Sequence, residues 1–168
     1  MHIGNVVVAW ATAVHDRLQV TMGDLGLESR DLSALTLIAE HDGCSGDWLR
    51  TRVHLTQSGT VRLVDRLVGR ELVHRGRSTG RGVPLHVTEH GAALLADWAR
   101  RRDEVVDDLL AAVPVAHRGE VVDGMAAALL GRDRARAEAD ATCRRCTWIA
   151  CGDDCPVDRS VTGEGARP

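Results

Sequence analysis

Cys143, Cys146, Cys151 and Cys155 are spaced C-x2-C-x4-C-x3-C, which puts four of the chain's five cysteines within 13 residues. Thiolates are soft donors, and four at such spacing can complete a tetrahedral zinc shell or hold an iron–sulfur cluster. The same residues could close disulfides or stay as idle thiols. Metal or redox chemistry is the expectation for a cysteine pattern in a reducing compartment. Arg144 and Arg145 flank the ligands and would favour the thiolate form. Cys44 stands apart and reads as a packed small residue rather than a fifth ligand or redox partner.

A second set of side chains suits a different task. Thr56, Gln57, Ser58, Thr60 and Arg62 fall at the cap and first turns of an expected helix ending near Arg70. Arg pairs bidentately with guanine and Gln with adenine, so this polar start suits the base edges of double-stranded DNA. Arg66, further along, suits a phosphate or an intramolecular partner. Arg75, Arg77 and Arg81, in and around a glycine-rich loop, suit phosphates or the minor groove.

Charge supports that division. The chain has a net charge of −3, yet the segment from Cys44 to His90 carries eight Arg against four acids. A basic segment inside an acidic protein points to a local face for a polyanion. The chain has no Phe, Tyr or Lys. Its core must be built from Leu, Val and Ala around Trp10, Trp48, Trp98 and Trp148, a composition that favours helix.

The elements that must position these groups are mainly helical. Val7, Trp10, Val14, Leu18, Met22 and Leu25 form one stripe of a first helix over residues 3–25. Asp31 or Ser33 is expected to cap a second helix through about His41. Ser45 or Asp47 opens a short third helix to about Val53, and Thr56 caps the fourth. In that fourth helix Val61, Val64, Leu67 and Val68 are expected to face the core. Leu72–Arg75 and Pro84–Val87 read as two strands around a basic loop. A long helix then runs from Thr88 or Glu89 to about Val113, with Leu94, Trp98, Val105 and Leu109 inward. Pro114 ends it. Another helix covers about Ala116 to Gly131 and is expected to continue to Ala141. Arg159–Pro168 reads as a disordered tail.

Several function classes are excluded. His41, His54, His74, His86 and His90 are scattered, with no paired nucleophile, so an enzyme is not expected. Gly76–Gly82 lacks the Lys-Ser/Thr and following helix of a phosphate-binding loop. No basic-then-apolar leader and no membrane-length apolar run is present, which implies a cytoplasmic protein with no membrane partner.

Short helix, turn, helix and arginine-bearing hairpin make a winged helix-turn-helix. The run Leu55-Thr56-Gln57-Ser58-Gly59-Thr60-Val61-Arg62-Leu63-Val64-Asp65-Arg66-Leu67, followed by Leu72-Val73-His74-Arg75, resembles the MarR family of winged-helix regulators. Leu85-His86-Val87-Thr88-Glu89-His90-Gly91 resembles that family's start of the helix after the wing. The chain departs from the family at Glu71, where Gly usually precedes the strand, and in the wing, which lacks the usual Asp beside its arginine. The resemblance covers about residues 5–131. It implies an obligate homodimer that binds a palindromic operator, expected to act as a repressor, with an effector that the sequence does not name.

On this reading residues 1–30 hold an N-terminal dimerisation helix, 31–90 the winged helix-turn-helix and 91–141 C-terminal dimerisation helices. Residues 142–158 form the cysteine segment and 159–168 the tail. The cysteine spacing resembles a zinc knuckle with Cys in place of His and one residue fewer in the last gap. Cys155-Pro156 resembles the end of a bacterial ferredoxin run. One metal centre per chain is expected on Cys143, Cys146, Cys151 and Cys155, Zn(II) ahead of an iron–sulfur cluster. The alternative is a redox or metal sensor whose DNA binding is switched by cluster or disulfide state.

Overall fold

The structure, a computed structural model, describes residues 2–78 and 82–162, without the side chains of Trp148 and Ile149. It is a mainly helical winged helix-turn-helix. Helix α1 spans Ile3–Asp24, α2 Ser29–Glu40, α3 Gly46–Val53, α4 Gln57–Gly69, α5 Glu89–Leu110 and α6 Val115–Leu130. Helix α7, Arg136–Cys143, and the single turn α8, Trp148–Cys151, carry the cysteine segment. The strands are β1 (Cys44–Ser45), β2 (Val73–Arg75) and β3 (Pro84–Val87), ordered β1-β3-β2 and antiparallel throughout.

Helix α2 is the axis of the core. Leu32, Ala34, Leu35, Leu37 and Ile38 are buried along it and meet Leu49, Leu63, Leu67, Leu72 and Trp98. Neither Asp31 nor Ser33 caps this helix as expected. Its N-cap is Glu28, and both residues lie inside it, buried. Ser33 donates to the Ser29 carbonyl at 2.7 Å. Asp31 accepts from Arg66 Nε of α4 at 3.0 and 3.1 Å. Helix α3 is capped by Ser45, which accepts from Trp48 N at 3.1 Å, and α4 by Thr56, which accepts from Gly59 N at 3.1 Å. Those caps satisfy amides that a helix start leaves open.

The wing has one strand more than the two expected. Cys44 and Ser45 pair with Leu85 and Pro84, so β3 is a central strand. A two-residue strand shows no alternation, which is why the pattern hid it. Gly91 lets α5 begin against this sheet, because a Cβ there would fall 2.2 Å from the Leu72 carbonyl oxygen. Glu71, where the resembled family has Gly, sits in the left-handed region with φ 58°. Its carbonyl accepts from Thr88 Oγ1 at 2.6 Å, which fixes the bend from α4 into β2.

Beyond α5 the helix expected over about Ala116 to Gly131 is present, and it does not continue to Ala141. Helix α6 stops at Gly131 and the chain turns before α7. Arg134 pairs in a parallel bridge with Val161, and its side chain donates to Ser160 Oγ at 2.7 Å. Residues 158–160 form a 3-10 turn with Ser160 and Val161 buried, so the start of the expected tail is packed. Residues 163–168 lie outside the described residues.

A non-Gly residue at left-handed φ costs about 1–2 kcal/mol, partly offset by the chain entropy that glycine loses on folding. Glu71→Gly should therefore raise stability by about 0.5–1 kcal/mol in urea denaturation. An unchanged or lower midpoint would contradict the conformation described.

Candidate functional site

The polar start of α4 is exposed at Gln57, Ser58 and Arg62. Its buried stripe is Thr60, Leu63, Val64 and Leu67, spaced at helical repeats. Two expectations are corrected. Thr60 is 3% exposed and donates its hydroxyl to the Thr56 carbonyl at 3.0 Å, so it faces the core rather than a base. Val61 is 51% exposed on the outer face instead of packing inward. An outward Val beside Gln57 and Arg62 offers an apolar contact of the kind that meets a thymine methyl. Spacing alone did not decide it, since Val61 lies three residues before Val64 and Leu63 four before Leu67.

The arginines divide in the same way. Arg66 is turned back to Asp31, whose carboxylate raises the guanidinium further above its ordinary range. That pair commits its guanidinium to α2, although the side chain stays 42% exposed. Arg70 joins it, donating to the Gly26 carbonyl at 2.8 Å. Arg75 pairs with Asp65 at 2.7 Å, tying β2 to α4 on the exposed side. Arg77 is exposed at the start of the wing loop, and Arg81 lies outside the described residues. Between α4, the start of α3 and the wing runs a groove of about 390 Å³, lined by Gln57, Val61, Arg50, Arg75 and Val83 among others.

The second site is the thiol cluster. Cys143 ends α7, Cys151 ends α8, Cys155 follows a 3-10 turn, and Cys146 lies in the loop between the helices. All four line one cavity of about 40 Å³, closed on its other side by Thr36 and His41 of the α2 end and by Asp140. The neighbouring Cys146 thiol, then burial, holds the Cys143 thiol well above its usual range. Cys143 in turn, helped by Arg102 and Arg144 against burial, brings Cys146 down to about 7. Burial, with Cys155 and Cys146 nearby, raises Cys151. Cys44 is remote, in β1 against the main core, and burial pushes it up to about 11.

Among the described residues no group of three or more His, Cys, Asp or Glu side chains is placed to hold a metal ion. Two features of the cavity still suit a small thiophilic centre. Four thiols line it, the soft donor set that such a centre takes. Thr36 Oγ1, on the cavity wall, is buried and has no hydrogen-bond partner among the described residues.

Sequence reasoning missed what holds this segment in place. Asp140, with a 2% exposed side chain, accepts from Arg52 of α3 at 2.8 Å and from Arg136 at 2.9 Å. His41 Nε2 stands 3.8 Å from it. Arg52 also lies over the Trp48 ring, 3.9 Å from its centroid. The loop between Cys143 and Cys146 is pinned as well. Arg145 donates to Ser29, while its carbonyl accepts from Trp98 Nε1 at 3.3 Å and from Arg102 at 3.4 Å. The partners lie far apart in sequence, and no local pattern announces them.

Comparison with known proteins follows this geometry. A sequence model of the MarR family matches residues 13–82. No curated protein is matched by the chain. Among solved structures, a MarR-family transcriptional regulator from Rhodococcus sp. RHA1 is 25% identical, with a TM-score of 0.58 over 75% of this chain and 91% of that one. Staphylococcus aureus MepR carrying F27L, bound to an oligodeoxyribonucleotide, is 14% identical with a TM-score of 0.64 over 77% and 96%. Mycobacterium tuberculosis Rv2887 in complex with p-aminosalicylic acid is 18% identical with a TM-score of 0.58 over 74% and 96%. The fold is that of MarR winged-helix proteins.

The two arginines of α4 should separate in experiment. Arg62→Ala should cost about 1–3 kcal/mol of binding to a specific duplex and leave the urea midpoint unchanged. Arg66→Ala should lower folding stability by about 2 kcal/mol, because it strips the main partner from a buried carboxylate while Arg70 stays 3.9 Å away. The reverse pattern would place the DNA face elsewhere on α4.

Proposed function

We propose that the chain is a homodimeric, DNA-binding transcriptional regulator, acting as a repressor, that carries one metal centre per chain on its C-terminal cysteines. The observation that carries the DNA-binding half is the outer face of α4, where Gln57, Ser58, Val61 and Arg62 stand clear beside a wing bearing Arg77. Phosphate contacts from the wing would set register, and base edges would be read from α4. DNA-bound MepR has the same fold.

Dimerisation is supported by apolar surface the chain leaves uncovered. Helix α6 buries none of its residues, and Val115, Val122, Met125, Leu129 and Leu130 are exposed on it. At the other terminus Ile3, Val6, Val7 and Val8 of α1 are exposed. Faces of this kind, spread over two helices, call for a partner, and a second copy would place the two α4 helices about one DNA turn apart.

The metal half rests on the convergence of four thiols on one cavity beside an orphaned hydroxyl. Cys143, Cys146, Cys151 and Cys155 would hold the ion, with zinc ahead of an iron–sulfur cluster because a single ion needs less room than a cluster in a cavity of about 40 Å³. The same convergence favours one alternative. Cys143 and Cys146 could pass two electrons and two protons to a small disulfide, closing their own disulfide and releasing two thiols.

Protein purified without oxygen tests both halves. Sedimentation at micromolar concentration should show a dimer, and elemental analysis should find one zinc, or one coloured iron–sulfur cluster, per chain. A monomer would refute the dimer. Metal-free, colourless protein with Cys143 and Cys146 joined would replace the metal reading by the thiol one.

A further inference from the structure

The cavity that collects the four cysteines is only half built by the cysteine segment. Its other wall is α2, the central helix of the DNA-reading lobe, through Thr36, Leu37, Glu40 and His41. Thr36 is 4% exposed, and its hydroxyl has no partner among the described residues, a costly arrangement for a buried polar group. A threonine hydroxyl can donate as well as accept, and thiolate or sulfide is an acceptor. The natural partner of this hydroxyl is therefore the sulfur of a filled centre, reached from the opposite wall.

Asp140 faces the same cavity and belongs to both sides. It lies three residues before Cys143 on α7, and it holds Arg52 of α3 at 2.8 Å. Arg136, its other partner, also pairs with Asp158 beyond Cys155 at 2.5 Å. Helix α7 packs on α3, and α3 in turn packs on α4. A centre bound by four thiolates is net negative, and it would sit beside a carboxylate already buried. The surrounding cations must then neutralise both. Removing the centre takes that competing charge away from Arg52 and Arg136, so the balance of charge across the α3–α7 clasp depends on loading.

We propose that the centre is shared between the cysteine segment and the DNA-reading lobe: Thr36 donates its hydroxyl to a sulfur of that centre, and the Asp140–Arg52 pair passes its loading to α3 and so to operator affinity. This rests on the metal reading above. It adds Thr36 to the site, and it gives the metal a regulatory task beyond bracing the C-terminus.

The test uses the full-length protein, prepared without oxygen and either loaded with Zn(II) or stripped by a chelator. If the protein purifies coloured, its own cluster takes the place of zinc. Metal content and binding to an operator duplex are measured on each sample. Stripping wild type should change operator binding roughly tenfold, within the usual range of coupling between sites. Arg52→Gln should keep one metal per chain, yet its operator binding should change less than about twofold on stripping. Thr36→Val, close in shape and lacking only the hydroxyl donor, should lose metal to the chelator several times faster than wild type.

Wild-type affinity that is unmoved by demonstrable metal loss would overturn the coupling and leave the metal reading standing. So would an Arg52→Gln response equal to that of wild type. Thr36→Val that holds metal as firmly as wild type would remove Thr36 from the site. Wild type that neither contains nor takes up metal would overturn the metal reading, and this inference with it.

Discussion

A carboxylate taken out of water must be paired, and this chain depends on meeting that requirement at Asp31. The side chain is 2% exposed at the start of α2, where no solvent can stabilise its charge. Arg66 answers it from α4 and Arg70 stands behind. The pair fixes the rotation of α4 about its own axis, because Arg66 can reach Asp31 only if one face of the helix is turned inward. Thr60, Leu63, Val64 and Leu67 follow onto the core, and Gln57, Ser58, Val61 and Arg62 are left outside. The face proposed to meet DNA is thus set by a charge inside the protein as much as by the apolar stripe.

The same requirement recurs at Asp140 and ties the C-terminal segment to the rest of the molecule. Arg52 comes from α3, Arg136 from α7 itself, and Arg136 reaches on to Asp158. The segment's own apolar cluster is small, formed by Ala139, Cys155, Val157 and Val161 with Cys143 against it. So few contacts cannot fold 25 or so residues independently, and segments of this size normally need a metal, a disulfide or a neighbour. Here the neighbour is the winged-helix lobe, through Arg52, Ser29, Trp98 and Arg102. Four thiols facing the seam between the two parts put any bound centre where it can affect both.

Much of the fold was legible because its signals are local. The caps at Ser45, Thr56 and Thr88, the stripe of α1 and the strands on either side of the wing follow from neighbouring residues. What escaped depends on partners distant in sequence. Asp31 looked like a cap because an acidic residue before an apolar run usually is one, and only Arg66, 35 residues on, makes burial possible. Strand β1 is too short to alternate and exists because β3 offers it an edge. Val61 and Thr60 exchanged places by one helical position, an error of about 100° that moves a residue from core to surface. The cysteines could be recognised by spacing alone, yet Thr36 and Asp140, which line their cavity, and Arg52, which holds Asp140, carry no sequence mark.

The account stands or falls on a dimer that reads DNA with the outer face of α4. Selection of binding sites from a random duplex pool by the full-length protein tests this most directly. The account predicts enrichment of an inverted repeat whose half-site centres lie about 10 base pairs apart, one helical turn. A pool that shows no enriched sequence, or only a single asymmetric site without its inverted copy, would contradict it.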